Sequence, residues 1–480
     1  MIATSLARVA DLVDGTAYDS DDVVVTGPAT LDSRDVASGG LFVAVRGEHV
    51  DGHEYAPAAL RAGAAAVLGE RRVDGPCVVV DDVTRALGTL AADVRDRLDG
   101  CTVVGVTGSQ GKTSVKDLLA QVLTRAGTTV ATAGNYNNEL GVPLTVLRAD
   151  PDTRFLVVEM GARALGNIAE LCAIARPDVG AVLSVGSAHL GEFGSVETIA
   201  RTKGELVEAL PPQGVAVLNA DDATVAAMST RTRARVVTYG MSDGADVAVR
   251  DLAVGPDGEP RFRLVAGDES VGVHVPLLGA HQASNAAAAA AVALAVGMDL
   301  PTVSDALGAA TTRSAWRMER LVRDDGLVVV NDAYNANPES TAAALRAVAA
   351  MRGEGRVVAV LGEMLELGDA SHRAHSDVGS LAADLGVTHV VAVGSGARPI
   401  HEAVLAAGAP SVAVDDVNDA VAWLRTYAGP GDIVLVKASR ASGLERVADA
   451  LLSPPAQHER VAGTEPEDGG GRDDEGNDGR

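Results

Sequence analysis

A seven-residue stretch, Thr107-Gly108-Ser109-Gln110-Gly111-Lys112-Thr113, lies between a β-branched apolar run at 101–106 and a helical spacing of apolar residues over 114–125. A strand feeding a helix through a glycine-rich turn commits its surroundings to a mostly parallel sheet covered by helices. Such a turn aims backbone N–H groups and a helix N-terminus at phosphate oxygens. Lys112 adds a compact charge, and Thr113 offers a hydroxyl to Mg²⁺. Residues 107–113 are therefore expected to hold ATP. The strict phosphate-loop pattern wants Gly at position 106, where this chain has Val. A tight strand-to-helix turn with an incidental lysine thus stands beside the functional reading.

The chain has 480 residues, more than one ordinary core can organise. Residues 1–100 alternate short strands with a helix and read as a small α/β domain. Over 101–313 strand and helix patterns alternate, the form of a parallel sheet with helices on both faces. Residues 314–453 repeat that pattern in a Rossmann-like third domain, with strands expected at 327–330, 357–361, 390–393 and 433–436. The acidic, glycine-rich tail at 454–480 has no apolar periodicity and is expected to be disordered. The fold class is thus three-domain α/β.

Polar residues gather after the strands of the central region. The loop 134–143 is dense in asparagine and includes Asn138. A strand pattern at 155–158 ends at Glu159, and another at 181–185 leads to His189, both where open α/β sheets keep their ligands. Either side chain would suit Mg²⁺. Only four residues are lysine, against 36 arginines, so Lys112, Lys116, Lys203 and Lys437 each raise the question of what an ammonium does that a guanidinium cannot. Lys116 reads as a surface residue of the helix. Lys203, inside a helix pattern, reads locally as exposed too. In the first domain, Asp32-Ser33-Arg34 and Asp51-Gly52-His53 would suit an anion-binding loop, though polar turns are common.

A net charge of −25 argues against nucleic acid as a partner. No secretory signal or membrane-length apolar run is visible, so a cytoplasmic protein, not inserted in membrane, is expected. Cys77, Cys101 and Cys172 lack paired or metal-like spacing and read as reduced and structural. A monomer is expected.

Together these residues resemble the Mur ligase family, across all three domains. The motifs are the phosphate loop, 134–139, 159–162, 187–195, 219–222 and Asn331-Asp332-Ala333-Tyr334-Asn335-Ala336-Asn337-Pro338. The last is similar to the motif of the members that add D-alanyl-D-alanine to UDP-N-acetylmuramoyl-tripeptide. The Asp-Asn-Pro-Arg string of the diaminopimelate- or lysine-adding members is absent.

The resemblance implies two Mg²⁺ ions held by Thr113, Glu159, His189 and Lys203, the lysine as a carbamate. It implies ATP contacts from 107–113, Asn138, Asn285, Arg317 and Asp332, and catalytic roles for Lys112, Glu159, His189 and Lys203. It also implies uridine-nucleotide contacts from Ser33, Arg34, Asp51, Gly52 and His53, and dipeptide contacts from Asn335, Asn337, Lys437 and Ser439. Gln282 and Glu363 depart from the residues usual in the family. The implied reaction is ATP-driven amide formation through an acyl phosphate. Another amide ligase of the family, a folylpolyglutamate synthetase, and a P-loop kinase or nucleotide switch are the alternatives.

Overall fold

The computed structural model describes residues 1–47, 49–186, 190–351 and 353–453. Its centre is a nine-stranded sheet in which the strand Thr102–Thr107 lies between Phe155–Glu159 and Val179–Val182, parallel to both. Glu159 stands opposite Val106, and Val182 opposite Thr107. The three strands therefore end at one edge, where their following loops share a crevice.

These strands are continuous apolar runs because both faces are covered. One face packs against Lys112–Leu123 and His281–Ala295, the latter burying an unbroken alanine run at 286–291. Residues so small let the two helices approach each other and the sheet closely. The other face packs against Asn167–Ala175 and Val196–Glu208.

The expected alternation of strand and helix fails between 235 and 274. Arg235–Gly240, Val247–Val254, Pro260–Ala266 and Glu269–His274 follow one another as strands, and the last three pair antiparallel. The reason is local: Phe262 and Leu264 point inward while Arg261 and Arg263 point outward, a period of two, and Gly267 turns the final hairpin at φ 57°.

The first hundred residues build a five-stranded sheet, parallel except at Thr16–Tyr18. Their last helix, Val83–Asp96, buries Leu87, Leu90 and Val94 in a core continuous with Leu147, Leu171 and Leu206 of the central region.

The third sheet has six strands. Val328–Asn331, Val357–Leu361, His389–Val393 and Ile433–Lys437 fall on the expected segments to within a residue. Val328–Asn331 and Ile433–Lys437 are parallel neighbours, with Asn331 opposite Val436, so the 332–337 loop and Lys437 emerge at one edge. The tail at 454–480 lies outside the described residues. No helix among the described residues is long and apolar enough to cross a membrane.

Candidate functional site

The edge of the central sheet and the edge of the third sheet face each other across a cavity of about 930 Å³. Its floor is the glycine-rich turn. Gly111 is left-handed at φ 78° and caps the helix Lys112–Leu123, and a Cβ there would lie 2.7 Å from Asn285 Oδ1. A Cβ at Gly108 would lie 2.9 Å from Leu183 Cβ. Glycine thus suits both positions, letting the turn pack closely on Leu183 and Asn285. Ser109 N–H donates to Ser184 O at 2.9 Å, and Ser109 Oγ accepts from Gly186 N at 2.8 Å. Thr107 Oγ1 donates to Met160 O at 2.9 Å, so Thr107 and Gly108 brace the turn from behind rather than line the cavity.

Lys112 lines the cavity with its Nζ on Gly108 O at 2.8 Å. Burial lowers its pKa, while nearby Glu159 acts in the opposite sense. Thr113 Oγ1 accepts from Arg317 Nη2 at 3.2 Å, and that guanidinium lies 3.9 Å from the centre of the Tyr334 ring. Arg317 therefore couples the third sheet to the phosphate loop. Glu159 is buried; its Oε1 accepts from Asn137 Nδ2 at 2.8 Å, while Oε2 is buried without a hydrogen-bond partner among the described residues.

Lys203 is 5 % exposed. Ser195 caps its helix, Val196–Glu208, and Ile199, Lys203 and Leu206 share the buried face, so the lysine occupies a slot that helical spacing assigns to the core. Burial, reinforced by the charge of Lys112, holds its amine well below its ordinary pKa. The neutral amine is the form that burial favours. The spacing Ile199, Lys203, Leu206 is the signal that separates this lysine from an exposed one.

Lys116 corrects its expectation as a surface residue. It is buried, with Nζ 2.5 Å from Asp117 Oδ1, and Asp117 Oδ2 accepts from Ser314 Oγ at 2.6 Å. Asp117, its ion-pair partner, is thus held by a contact across 197 positions of sequence that is invisible locally.

From the third sheet, Asp332 accepts from Lys437 Nζ at 2.6 Å and from Met318 N–H at 3.0 Å, and Lys437 also donates to Asn335 O at 2.8 Å. Asn337 caps Pro338–Ala350 in a capping box with Ser340, a structural duty beside any contact with ligand. Asn138 Oδ1 accepts from Gly141 N–H at 3.0 Å, and Asn285 Nδ2 donates to Gln282 Oε1 at 3.0 Å.

The cavity thus gathers Ser109, Gln110, Gly111, Lys112, Thr113, Asn138, Glu159, Lys203, Asn285, Arg317, Asp332, Asn335, Asn337 and Lys437. His189 lies outside the described residues. Ser439 stands behind the wall, its Oγ accepting from Leu365 N–H at 2.9 Å. The first-domain residues do not line the cavity, although Leu31 beside them does. Arg34 is exposed and paired with Asp32 at 2.6 Å. Asp51 and His53 form an internal corner, with His53 Nδ1 2.6 Å from Asp51 Oδ1 and Nε2 accepting from Glu70 N–H at 2.9 Å. Sequence reasoning did not single out Arg163, Asn167 and Glu170, which line the cavity as ordinary polar residues of a loop and a helix start.

The Mur ligase family catalytic domain pattern matches 29–95, the Mur ligase middle domain 106–293, and the Mur ligase glutamate ligase domain 316–440. The chain is 44 % identical to the UDP-N-acetylmuramoyl-tripeptide–D-alanyl-D-alanine ligase of Mycobacterium tuberculosis, over 94 % of this chain and 98 % of that one. Among solved structures, the Acinetobacter baumannii UDP-N-acetylmuramoylalanyl-D-glutamyl-2,6-diaminopimelate–D-alanyl-D-alanyl ligase aligns with a TM-score of 0.82 at 29 % identity, covering 94 % of this chain and 99 % of that one. The MurF ligase of Thermotoga maritima in complex with ADP aligns with a TM-score of 0.77 at 32 % identity, covering 90 % and 98 %.

Proposed function

The chain belongs to the Mur ligase family, and from that premise we propose that it joins D-alanyl-D-alanine to UDP-N-acetylmuramoyl-tripeptide at the expense of ATP, a cytoplasmic step of peptidoglycan precursor synthesis. The observation that carries this reading is the identity of 44 % over 94 % of the chain with a ligase of that name. The cavity walled jointly by the phosphate loop and the 332–337 segment supports it.

A carboxylate is a poor electrophile. Its oxygen attacks the γ-phosphorus, ADP leaves, and the acyl phosphate so formed carries a good leaving group. The dipeptide amine then attacks the acyl carbon, phosphate departs, and the amine loses a proton. In the proposed roles, residues 109–113 cradle the phosphates with Thr107 and Gly108 bracing the turn, and Asn138, Asn285, Arg317 and Asp332 position the nucleotide. Lys112 offsets the repulsion between carboxylate and triphosphate. Arg317, held on Tyr334 and bonded to Thr113, brings the third domain to the nucleotide.

The donor set fits a divalent cation, since Glu159 Oε2 is a buried carboxylate oxygen left without a hydrogen bond. Thr113, Glu159, His189 and Lys203 as a carbamate would hold two Mg²⁺ ions. Bound there, the metal would supply charge neutralisation for the transferring phosphoryl group. Lys203 suits carbamylation because its burial favours the neutral amine, the form able to add CO₂ with release of a proton. An arginine has no such chemistry.

The division of labour follows the sheets: 1–100 for the uridine-nucleotide peptide, with Ser33, Arg34, Asp51, Gly52 and His53 as its expected region; 101–313 for ATP; and 314–453 for the dipeptide. The matched family segments fall within these three ranges. Asn335, Asn337 and Lys437 are proposed to face the dipeptide, with Ser439 supporting that wall.

The test is phosphate release and product mass. Release should require ATP, the nucleotide tripeptide and D-alanyl-D-alanine together. Release that needs neither peptide would point to a nucleotide switch instead.

A further inference from the structure

In the proposed reaction Lys112, Glu159, Lys203 and Arg317 face the phosphates, while Asp332 and Lys437 satisfy each other. Arg163 and Glu170 also line the cavity, and neither has a part in that chemistry. Arg163 follows the strand Phe155–Glu159, and Glu170 lies in the first turn of Asn167–Ala175, a helix that packs on Val83–Asp96 of the first domain.

The segment between them is held firmly. Asn167 Oδ1 accepts from the N–H groups of Arg163 and Ala164 at 3.1 and 2.9 Å, which fastens the loop carrying the arginine to the helix carrying the glutamate. Glu205, on the helix of Lys203, accepts from Gly166 and Ala169 N–H at 2.7 and 3.0 Å. Gly161 N–H donates to Asn137 O at 2.8 Å, beside the Asn137 amide that holds Glu159. The two charged heads are exposed by contrast. The Arg163 side chain is 76 % exposed with a loose ion pair at 3.9 Å to Glu192, and Glu170 has no ion pair among the described residues. A fixed backbone presenting one loosely paired cation, and one anion without an ion pair among the described residues, to a cavity is a complementary surface for a zwitterion.

Given the proposed reaction, on which this inference rests, the reacting carboxylate belongs to the third residue of the peptide. That residue's side chain therefore extends only a few bonds from Lys112 and Lys203. A diaminopimelate side chain, named in the Acinetobacter baumannii ligase, ends in an ammonium and a carboxylate on one carbon. A lysine side chain ends in the ammonium alone. We propose that Arg163 and Glu170 read the end of this side chain, the guanidinium pairing with its carboxylate and Glu170 with its ammonium. They thereby select a third residue that carries both charges. The planar fork of an arginine matches a carboxylate in two bonds, which a lysine at position 163 would not reproduce.

Two nucleotide tripeptides, one ending in meso-diaminopimelate and one in L-lysine, test this with saturating ATP and D-alanyl-D-alanine. The wild type should show the higher kcat/KM with diaminopimelate. Arg163→Gln should lower that value roughly tenfold and leave the lysine peptide unchanged, the loss of one partly solvated charged pair. Glu170→Gln should lower both by a similar factor, since both peptides carry the ammonium. The ratio is internal to each variant, so a smaller folded fraction cannot mimic selectivity. A ratio that Arg163→Gln leaves unchanged overturns the proposal, as does a wild type that uses both peptides equally. A wild type that turns over neither would count against the proposed reaction itself.

Discussion

The corner at 51–53 and the cavity floor at Glu159 and Lys203 are both largely buried, and both are built from titratable side chains. At the corner every polar atom is met from within. Asp51 Oδ1 accepts from His53 N–H and faces His53 Nδ1, Oδ2 accepts from Arg71, and His53 Nε2 accepts from the N–H groups of Glu70 and Arg71. At the floor, Glu159 Oε2 has no hydrogen-bond partner and Lys203 no ion pair among the described residues. Leaving a buried polar group unmet costs about 1 to 3 kcal/mol, so such groups persist where a ligand completes them. The contrast separates polar residues that hold the protein together from those that await something.

The largest effect expected from that contrast is at Lys112. Lys112→Ala should cut kcat by roughly a thousandfold, the scale of removing a preorganised charge from a transition state. Its thermal midpoint should stay near the wild type, because among the described residues the Lys112 ammonium makes one hydrogen bond, to Gly108 O. Near-native turnover in this variant would remove the phosphates from the floor.

Lys203 comes next. Lys203→Ala should lose most activity, and acetate or formate should restore part of it by supplying the missing carboxylate-like anion. Lys203→Arg should be as poor as alanine, with no rescue. An active arginine variant would show that a cation suffices and that no carbamate forms.

What the sequence disclosed and what it hid divides along the same physical line. The phosphate loop, the strand ending at Glu159 and the strands of the third sheet are local patterns, readable from glycine spacing and β-branched runs. Lys203 is marked by composition, but reads locally as exposed; its burial follows the Ile199, Lys203, Leu206 spacing on one helix face. Lys116 is buried where local pattern suggests a surface residue, because its burial comes from tertiary packing that no local spacing carries. Arg163 and Glu170 gave no signal, since an exposed charge on a loop or helix start is the commonest kind of residue there. At 51–53 the motif does not say whether its hydrogen bonds will be made inward or outward, and the inward pairing of Asp51 with His53 is disclosed only by the fold.

That corner supplies a third, smaller effect. His53→Ala removes a buried ring and orphans two backbone N–H groups, and should cost about 3 kcal/mol in unfolding free energy while kcat is nearly unchanged. The N–H groups of His53 and the Arg71 guanidinium hold the Asp51 carboxyl well below its ordinary pKa. A depressed carboxylate contributes stability above its unfolded value, and that stability is lost as pH falls from about 4 toward the lowered value. Asp51→Asn should therefore flatten the acid limb of the stability curve and leave the neutral region with a smaller change in slope. If His53→Ala instead keeps its stability but raises KM for the nucleotide peptide tenfold, the corner is a ligand site and the contrast fails.

The smallest effect concerns the thiols, which test whether internal satisfaction alone identifies structural groups. All three cysteines are buried, and Cys172 Sγ lies 3.7 Å from Met160 Sδ, next along the chain from Glu159. Burial pushes the Cys172 thiol up to about 12 and Cys101 up to about 11, so almost no thiolate exists at neutral pH. Alkylation requires the thiolate and access to it. Native protein incubated with iodoacetamide should therefore keep its full ligase activity and gain no mass, while protein unfolded in guanidinium should gain three adducts, one for each cysteine. Rapid labelling of Cys172 in the native state, with loss of activity, would mean that the layer beneath Glu159 opens to solvent. Lys203, buried on the neighbouring helix, would then share that exposure, and burial would no longer account for the lowering of its pKa.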